Sequence, residues 1–180
     1  MDRRSFIKKG LAGGALLLLG SGTALALRQG RHLASPTAPL RVLNDRGFQV
    51  LVAIAARVAP AGEADPVAIA QAVDASLMSV PPEVRTDLSR VLLLFENALP
   101  AFLLDGRITP FTALAPEAQD AVLAAWRDSH LTLRRSAYNA LRRLCLGAHY
   151  ADPRAWKAIH YGGPLDLNGF FHDDSRAGAS

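Results

Sequence analysis

The chain has 180 residues, half of them apolar, and 20 Lys+Arg against 16 Asp+Glu give a formal charge of +4. The surplus sits at the very start: with Arg3, Arg4, Lys8, Lys9 and Asp2 set aside, 16 basic residues face 15 acidic ones, a charge of +1. A near-neutral body excludes the basic footprint of a nucleic-acid or membrane-surface binder, and a single cysteine, Cys145, excludes both an internal disulfide and covalent haem attachment, which takes two thiols.

The first element is a leader. Arg3-Arg4-Ser5-Phe6-Ile7-Lys8-Lys9 pairs two arginines with an aromatic and lysines ahead of an apolar run, the pattern of a twin-arginine export signal, in which Arg3, Arg4, Phe6 and Lys8 carry the address. Ala24-Leu25-Ala26 supplies the small-x-small site of a signal peptidase, with cleavage expected after Ala26. As a helix, Leu11 to Leu27 would span about 25 Å at 1.5 Å per residue, short of the roughly 30 Å hydrocarbon core. Its four glycines each cost up to about 1 kcal/mol of helix propensity. A removable signal is therefore favoured over an anchor. The domains expected are the signal at 1–26, a linker or arm at 27–43, a helical domain at 44–164 and a flexible tail at 165–180.

The arm contains Ser35-Pro36 and Ala38-Pro39 and holds no period. Asn44 then reads as an N-cap, with Phe48, Leu51, Val52, Ala55 and Val58 at helical spacing up to Pro60. Asp65-Pro66 caps a second helix, which carries Val67, Ile69, Ala70, Val73, Leu77 and Met78 and stops at Pro81-Pro82. A third starts near Pro82 with Glu83 in its first turn. Its stripe of Val84, Leu88, Val91, Leu92, Phe95 and Leu99, broadened by Leu93 and Leu94, marks it as the expected central buried helix. Phe111 and Leu114 anchor the approach to a fourth, led by Pro116-Glu117 and carrying Val122, Leu123 and Trp126.

The longest helix runs from Leu131 to Tyr150, with Ala137, Tyr138, Leu141, Leu144, Cys145 and Ala148 on one face. Arg135, Arg142 and His149 fall on a line on the other side, while Arg134 turns toward Cys145. Asp152-Pro153 opens a last short helix through Trp156 and Ile159, closed by Tyr161-Gly162-Gly163-Pro164. No β-branched alternation makes a strand. The expected fold is all-α, a compact orthogonal domain of five to six helices after the signal helix and arm.

Chemical motifs are sparse. The glycine cluster Gly10 to Gly14 lies in the leader, so it is no dinucleotide-binding turn, and phosphate-loop, zinc-protease and serine-hydrolase signatures are missing. His149-Tyr150 and His160-Tyr161 echo each other, but their spacing is not that of metal ligands on one helix, so they read as capping and interface groups. No catalytic, cofactor or metal residue is assigned to this chain. Arg134, Tyr138, Tyr150, Trp156 and Tyr161 suit a protein interface, where arginine and aromatics are enriched. Cys145 has two readings: a core thiol, or a disulfide to another chain.

The leader, Arg57-Val58-Ala59-Pro60, Phe111 and Leu114 before Pro116-Glu117, Leu141-Arg142-Arg143-Leu144, Tyr150-Ala151-Asp152-Pro153 with Trp156, and Tyr161-Gly162-Gly163-Pro164 together resemble the gluconate 2-dehydrogenase subunit 3 family. The resemblance departs from the family pattern at Gly162, where proline is common, and in the compact loop between Pro60 and Pro66. It implies a small noncatalytic subunit of an exported dehydrogenase. Its partners would be a large FAD-containing subunit of the glucose-methanol-choline type, often a multihaem cytochrome c carrying haem c, and the twin-arginine translocase. The small subunit would lend its signal to the large one and reside at the periplasmic face of the inner membrane. The alternatives are a self-sufficient exported metal protein or enzyme using His149 and His160, and a purely structural subunit with no transport role.

Overall fold

Nine consecutive residues, Gly47 to Ala55, are buried in the helix α1 (Asp45–Val58). Nine residues make about two and a half turns, so the helix is enclosed on every side. The computed structural model describes residues 30–62, 64–97, 106 and 108–163. The leader with Arg3, Arg4, Phe6, Lys8, Ala24 and Ala26, and the tail at 165–180, lie outside the described residues.

Around α1 stand α2 (Pro66–Ser76), which a 3-10 turn at Leu77–Ser79 continues, α3 (Pro82–Glu96), α4 (Pro116–Arg127) and α5 (Thr132–Ala151). The short α6 (Pro153–Trp156) follows at the corner, and a second 3-10 turn at Phe111–Ala113 precedes α4. The described residues contain six α-helices and no strand, so the chain is all-α. The helix starts are those that capping chemistry dictates. Asn44 accepts the Gly47 N–H at 2.8 Å, and Asp65 accepts those of Val67 and Ala68 at 2.9 and 3.1 Å, with Pro66 at the first helical position.

The central helix is α1, not α3. α1 packs against α2, α3, α4 and α5. α3 buries only Leu88, Leu92, Phe95 and Glu96, and leaves Val84 and Leu93 at 51% and 40% exposure. Its Asp87 and Arg90, paired with each other and exposed, hold one side of the helix at the surface, whatever its leucine count. The far end of α3 is fixed by aromatics: Phe95 stacks on Trp126 at 4.0 Å and meets Phe111 edge-on at 5.3 Å. Such pairs add about 0.5–1.5 kcal/mol each beyond area burial.

The arm is sewn to the helices by side-chain acceptors. Arg31 N–H donates to Thr112 Oγ1 at 2.8 Å, and Leu33 and Ala34 N–H donate to Gln49 Oε1 at 2.7 and 3.1 Å. Gln71 brackets Ala38 through its N–H and its carbonyl. Asp74, with 0% exposure, takes the N–H groups of Arg41, Val42 and Leu43 at 2.6, 3.1 and 2.7 Å. At the arm's start a Cβ on Gly30 would collide with the carboxylate of Glu96 and the hydroxyl of Thr112. Glu96 is itself buried and accepts from the Thr112 N–H at 3.1 Å and its hydroxyl at 2.6 Å. An extended segment has no ladder of its own, so these side chains supply its part-buried donors, and the buried one of Leu43, with the acceptors a ladder would have given.

Candidate functional site

α5 ends where proline dictates. The residue before Pro153 is pushed out of the α region, and Asp152 there adopts φ −81°, ψ 121°, closing α5 and capping α6 at once. Its carboxylate accepts the Arg154 N–H at 2.9 Å and pairs with the Arg154 guanidinium, Nε to Oδ2 at 2.9 Å. The guanidinium, and then the backbone N–H, hold this carboxyl down at about 2. Trp156 Nε1 donates back across the corner to the Tyr150 carbonyl at 2.8 Å. Tyr161 returns its ring edge-on to Trp156 at 5.3 Å, and its N–H donates to the Trp156 carbonyl at 2.9 Å. Gly163 lets the chain lie over the indole: its φ is +97°, and a Cβ there would meet Trp156 Cζ3 at 3.1 Å.

His149 sits beside this corner and not on the wet side of α5. It is 6% exposed, with its ring edge-on to Tyr150 at 4.8 Å. It continues the buried ladder Ala137, Leu141, Cys145 at steps of four. On a 100° wheel it lies only about 40° from Cys145. Because α5 touches α1, α2 and α4, the buried arc is wide enough to include it. A cleft of about 360 Å³ opens there between α2 and the α5–α6 corner. Its apolar lining is Ala68, Ile69, Ala72, Ala148, Ala151 and Ala155, and Asp65, Asp152, Arg154 and His149 are its polar members.

The structure divides the residues that the sequence singles out. Tyr150, Trp156 and Tyr161 come together at this corner, with Tyr150 and Tyr161 at 38% and 49% exposure. Arg134 lies at the other end of α5, about 24 Å away by helix rise, with its guanidinium 5.1 Å over the Trp126 ring. Tyr138 packs half-buried against the core. Cys145 has 0% exposure in the middle of the helix, and burial pushes its thiol up to about 12. His160 is exposed in the turn after α6, with φ 53°. Among the described residues no group of three His, Cys, Asp or Glu side chains is placed to hold a metal ion. Asp65 and Arg154 were missed as members of one cleft, because 89 positions of sequence separate them; only the capping role of Asp65 was legible.

A family model described as gluconate 2-dehydrogenase subunit 3 matches residues 45–163, from the start of α1 to the turn over Trp156. No curated protein and no solved structure matches the chain.

Proposed function

From the premise that this chain belongs to the gluconate 2-dehydrogenase subunit 3 family, and so is a subunit of a multi-subunit dehydrogenase, we propose that it is the noncatalytic small subunit and export escort of a periplasmic FAD-dependent enzyme. The family match, which covers every described helix, is the observation that carries the reading. The flavin belongs to a large subunit of the glucose-methanol-choline type, and a multihaem cytochrome c takes the electrons onward. The twin-arginine pattern at Arg3-Arg4 supports the transport half of the proposal. A flavin inserted in the cytoplasm needs a route that accepts folded cargo, and a leader on one subunit serves both.

Co-expression of this chain with the large subunit tests the escort role. Flavin-loaded large subunit is expected in the periplasm with the wild-type chain and in the cytoplasm with R3K/R4K. Equal periplasmic activity in the absence of this chain would falsify the role. A chain carrying an unrelated leader that still raises the stability of the large subunit, without moving it, would leave a structural subunit only. His149 and His160 join no ligand cluster among the described residues, so no observation favours the metal-protein reading.

A further inference from the structure

A pocket of about 370 Å³ opens where the end of α1 meets α4 and α5, and it shares no residue with the cleft at the α5–α6 corner. Each of the three helices contributes one arginine to its lining: Arg57 from α1, Arg127 from α4 and Arg142 from α5. Asp120 is the one carboxylate among the lining residues. Val58, Leu123 and Tyr138 supply an apolar wall between them.

The three guanidiniums differ in how their donors are used. Arg127 is engaged, for its Nε and one terminal nitrogen donate to the two oxygens of Asp128 at 2.9 and 2.8 Å. Arg57 is engaged only in part. Its side chain is 26% exposed, and its Nε donates to the Ala56 carbonyl at 3.1 Å. The nearest Asp120 oxygen stands 3.6 Å from that nitrogen, outside hydrogen-bond range. The terminal N–H groups of Arg57 thus bond to no described residue, although most of the side chain is out of water. Arg142 is exposed and makes neither a hydrogen bond nor an ion pair with any described residue.

Charge and donors point the same way. Asp128 offsets Arg127 and Asp120 lies beside Arg57, which leaves the charge of Arg142 as a surplus of one at the opening. A single surplus suits a monoanion, and a planar guanidinium with unused donors suits a carboxylate, which accepts its parallel N–H groups two at a time. Val58 and Tyr138 are both half-buried against the core. Their remaining apolar surface favours an anion with a hydrocarbon body to cover it, and the pocket is of the size that holds small organic ligands.

We propose that this pocket binds a small monocarboxylate with an apolar body. The carboxylate is held by the guanidiniums of Arg142 and Arg57, and the body lies on Val58 and the ring of Tyr138. The site is independent of the subunit reading, because every residue in it belongs to this chain.

The test titrates the full chain with benzoate and follows the arginine Nε–H resonances at physiological ionic strength, where attraction between distant exposed charges is screened. Saturable shifts are expected at Arg57 and Arg142. Benzamide keeps the ring without the charge, acetate keeps the charge without the ring, and both are expected to bind at least about tenfold more weakly than benzoate. Arg142→Gln, at an exposed position with no partner to lose, is expected to weaken benzoate binding at least about tenfold while the thermal midpoint stays unchanged. Arg143→Gln, exposed at the next position and outside the pocket, is expected to leave it unchanged.

The absence of a saturable shift at either arginine overturns the proposal, as does benzamide binding as tightly as benzoate. Equal losses from Arg142→Gln and Arg143→Gln would mean a diffuse attraction to positive charge and no site. Inorganic phosphate that displaces benzoate at equal concentration would make the pocket a general anion site and overturn the carboxylate assignment. None of these outcomes touches the subunit reading, which stands or falls with the co-expression experiment.

Discussion

Asp74 holds three consecutive backbone donors of the arm with two carboxylate oxygens, and has no exposure. Asp74→Ala strands the buried Leu43 donor, at about 1–3 kcal/mol, and leaves the part-buried donors of Arg41 and Val42 to water, so a loss of about 1–3 kcal/mol is expected in denaturant unfolding. Asp74→Asn keeps one acceptor oxygen and should cost less; equal losses would mean that the geometry of the acceptors is unimportant. At Cys145 the expectation is inertness. With its thiol buried and pushed up to about 12, native protein at pH 8 should leave a disulfide reagent unconsumed until denaturant is added, because the thiolate is the reactive form. Prompt labelling, or a reducible adduct in the assembled complex, would restore the intersubunit disulfide. Helical period placed Cys145 on the inner face beside Leu141, but a period cannot say whether that face is covered by this chain or by another. The same arithmetic misassigned His149, because the boundary between wet and buried arcs depends on how many neighbours a helix has.

Helix bounds were legible because their signals are local: Asn44, Asp65-Pro66, Pro116 and Asp152-Pro153 each act within one turn. Which helix sits at the centre was not legible, since that is decided by packing among elements far apart in sequence. α3 makes the point testable with adjacent leucines. Leu92 has 0% exposure and Leu93 40%. Leu92→Ala is expected to cost about 2–5 kcal/mol as a cavity mutation, and Leu93→Ala well under half of that; comparable losses would mean that α3 is buried all round. The α5–α6 corner carries a pH dependence. The carboxyl of Asp152 is depressed from an ordinary value of about 3.9 to about 2. Its contribution to folding is therefore complete above about pH 4 and is lost as pH falls through about 2. The indole N–H resonance of Trp156, bonded across that corner, should shift over this window and not above it.

At the scale of the molecule, the folded body includes the arm. The sequence gives this segment no period, and rightly so, because its partners are single polar side chains on α1, α2 and the Phe111–Ala113 turn. Their scattered positions leave no pattern in the arm itself. The hint lay in the helices, where Gln49, Asp74 and Glu96 are polar residues inside apolar stripes. A chain beginning at Asn44 is expected to melt at least about 10 °C below one beginning at Gly30, taking a few degrees per kcal/mol for a body of this size; coincident melts would make the arm a linker after all.

Because the acceptors for the arm come from three separate elements, and Arg31 reaches Thr112 across 81 positions, the arm can settle only after the helices that hold those acceptors have met. Contacts between distant positions form late, since the closure entropy must be spent first. The amino-terminal edge of this body, made first, is thus consolidated last. A protease that still cuts between Gly30 and Leu43 would report that some helix, however remote, has yet to find its place.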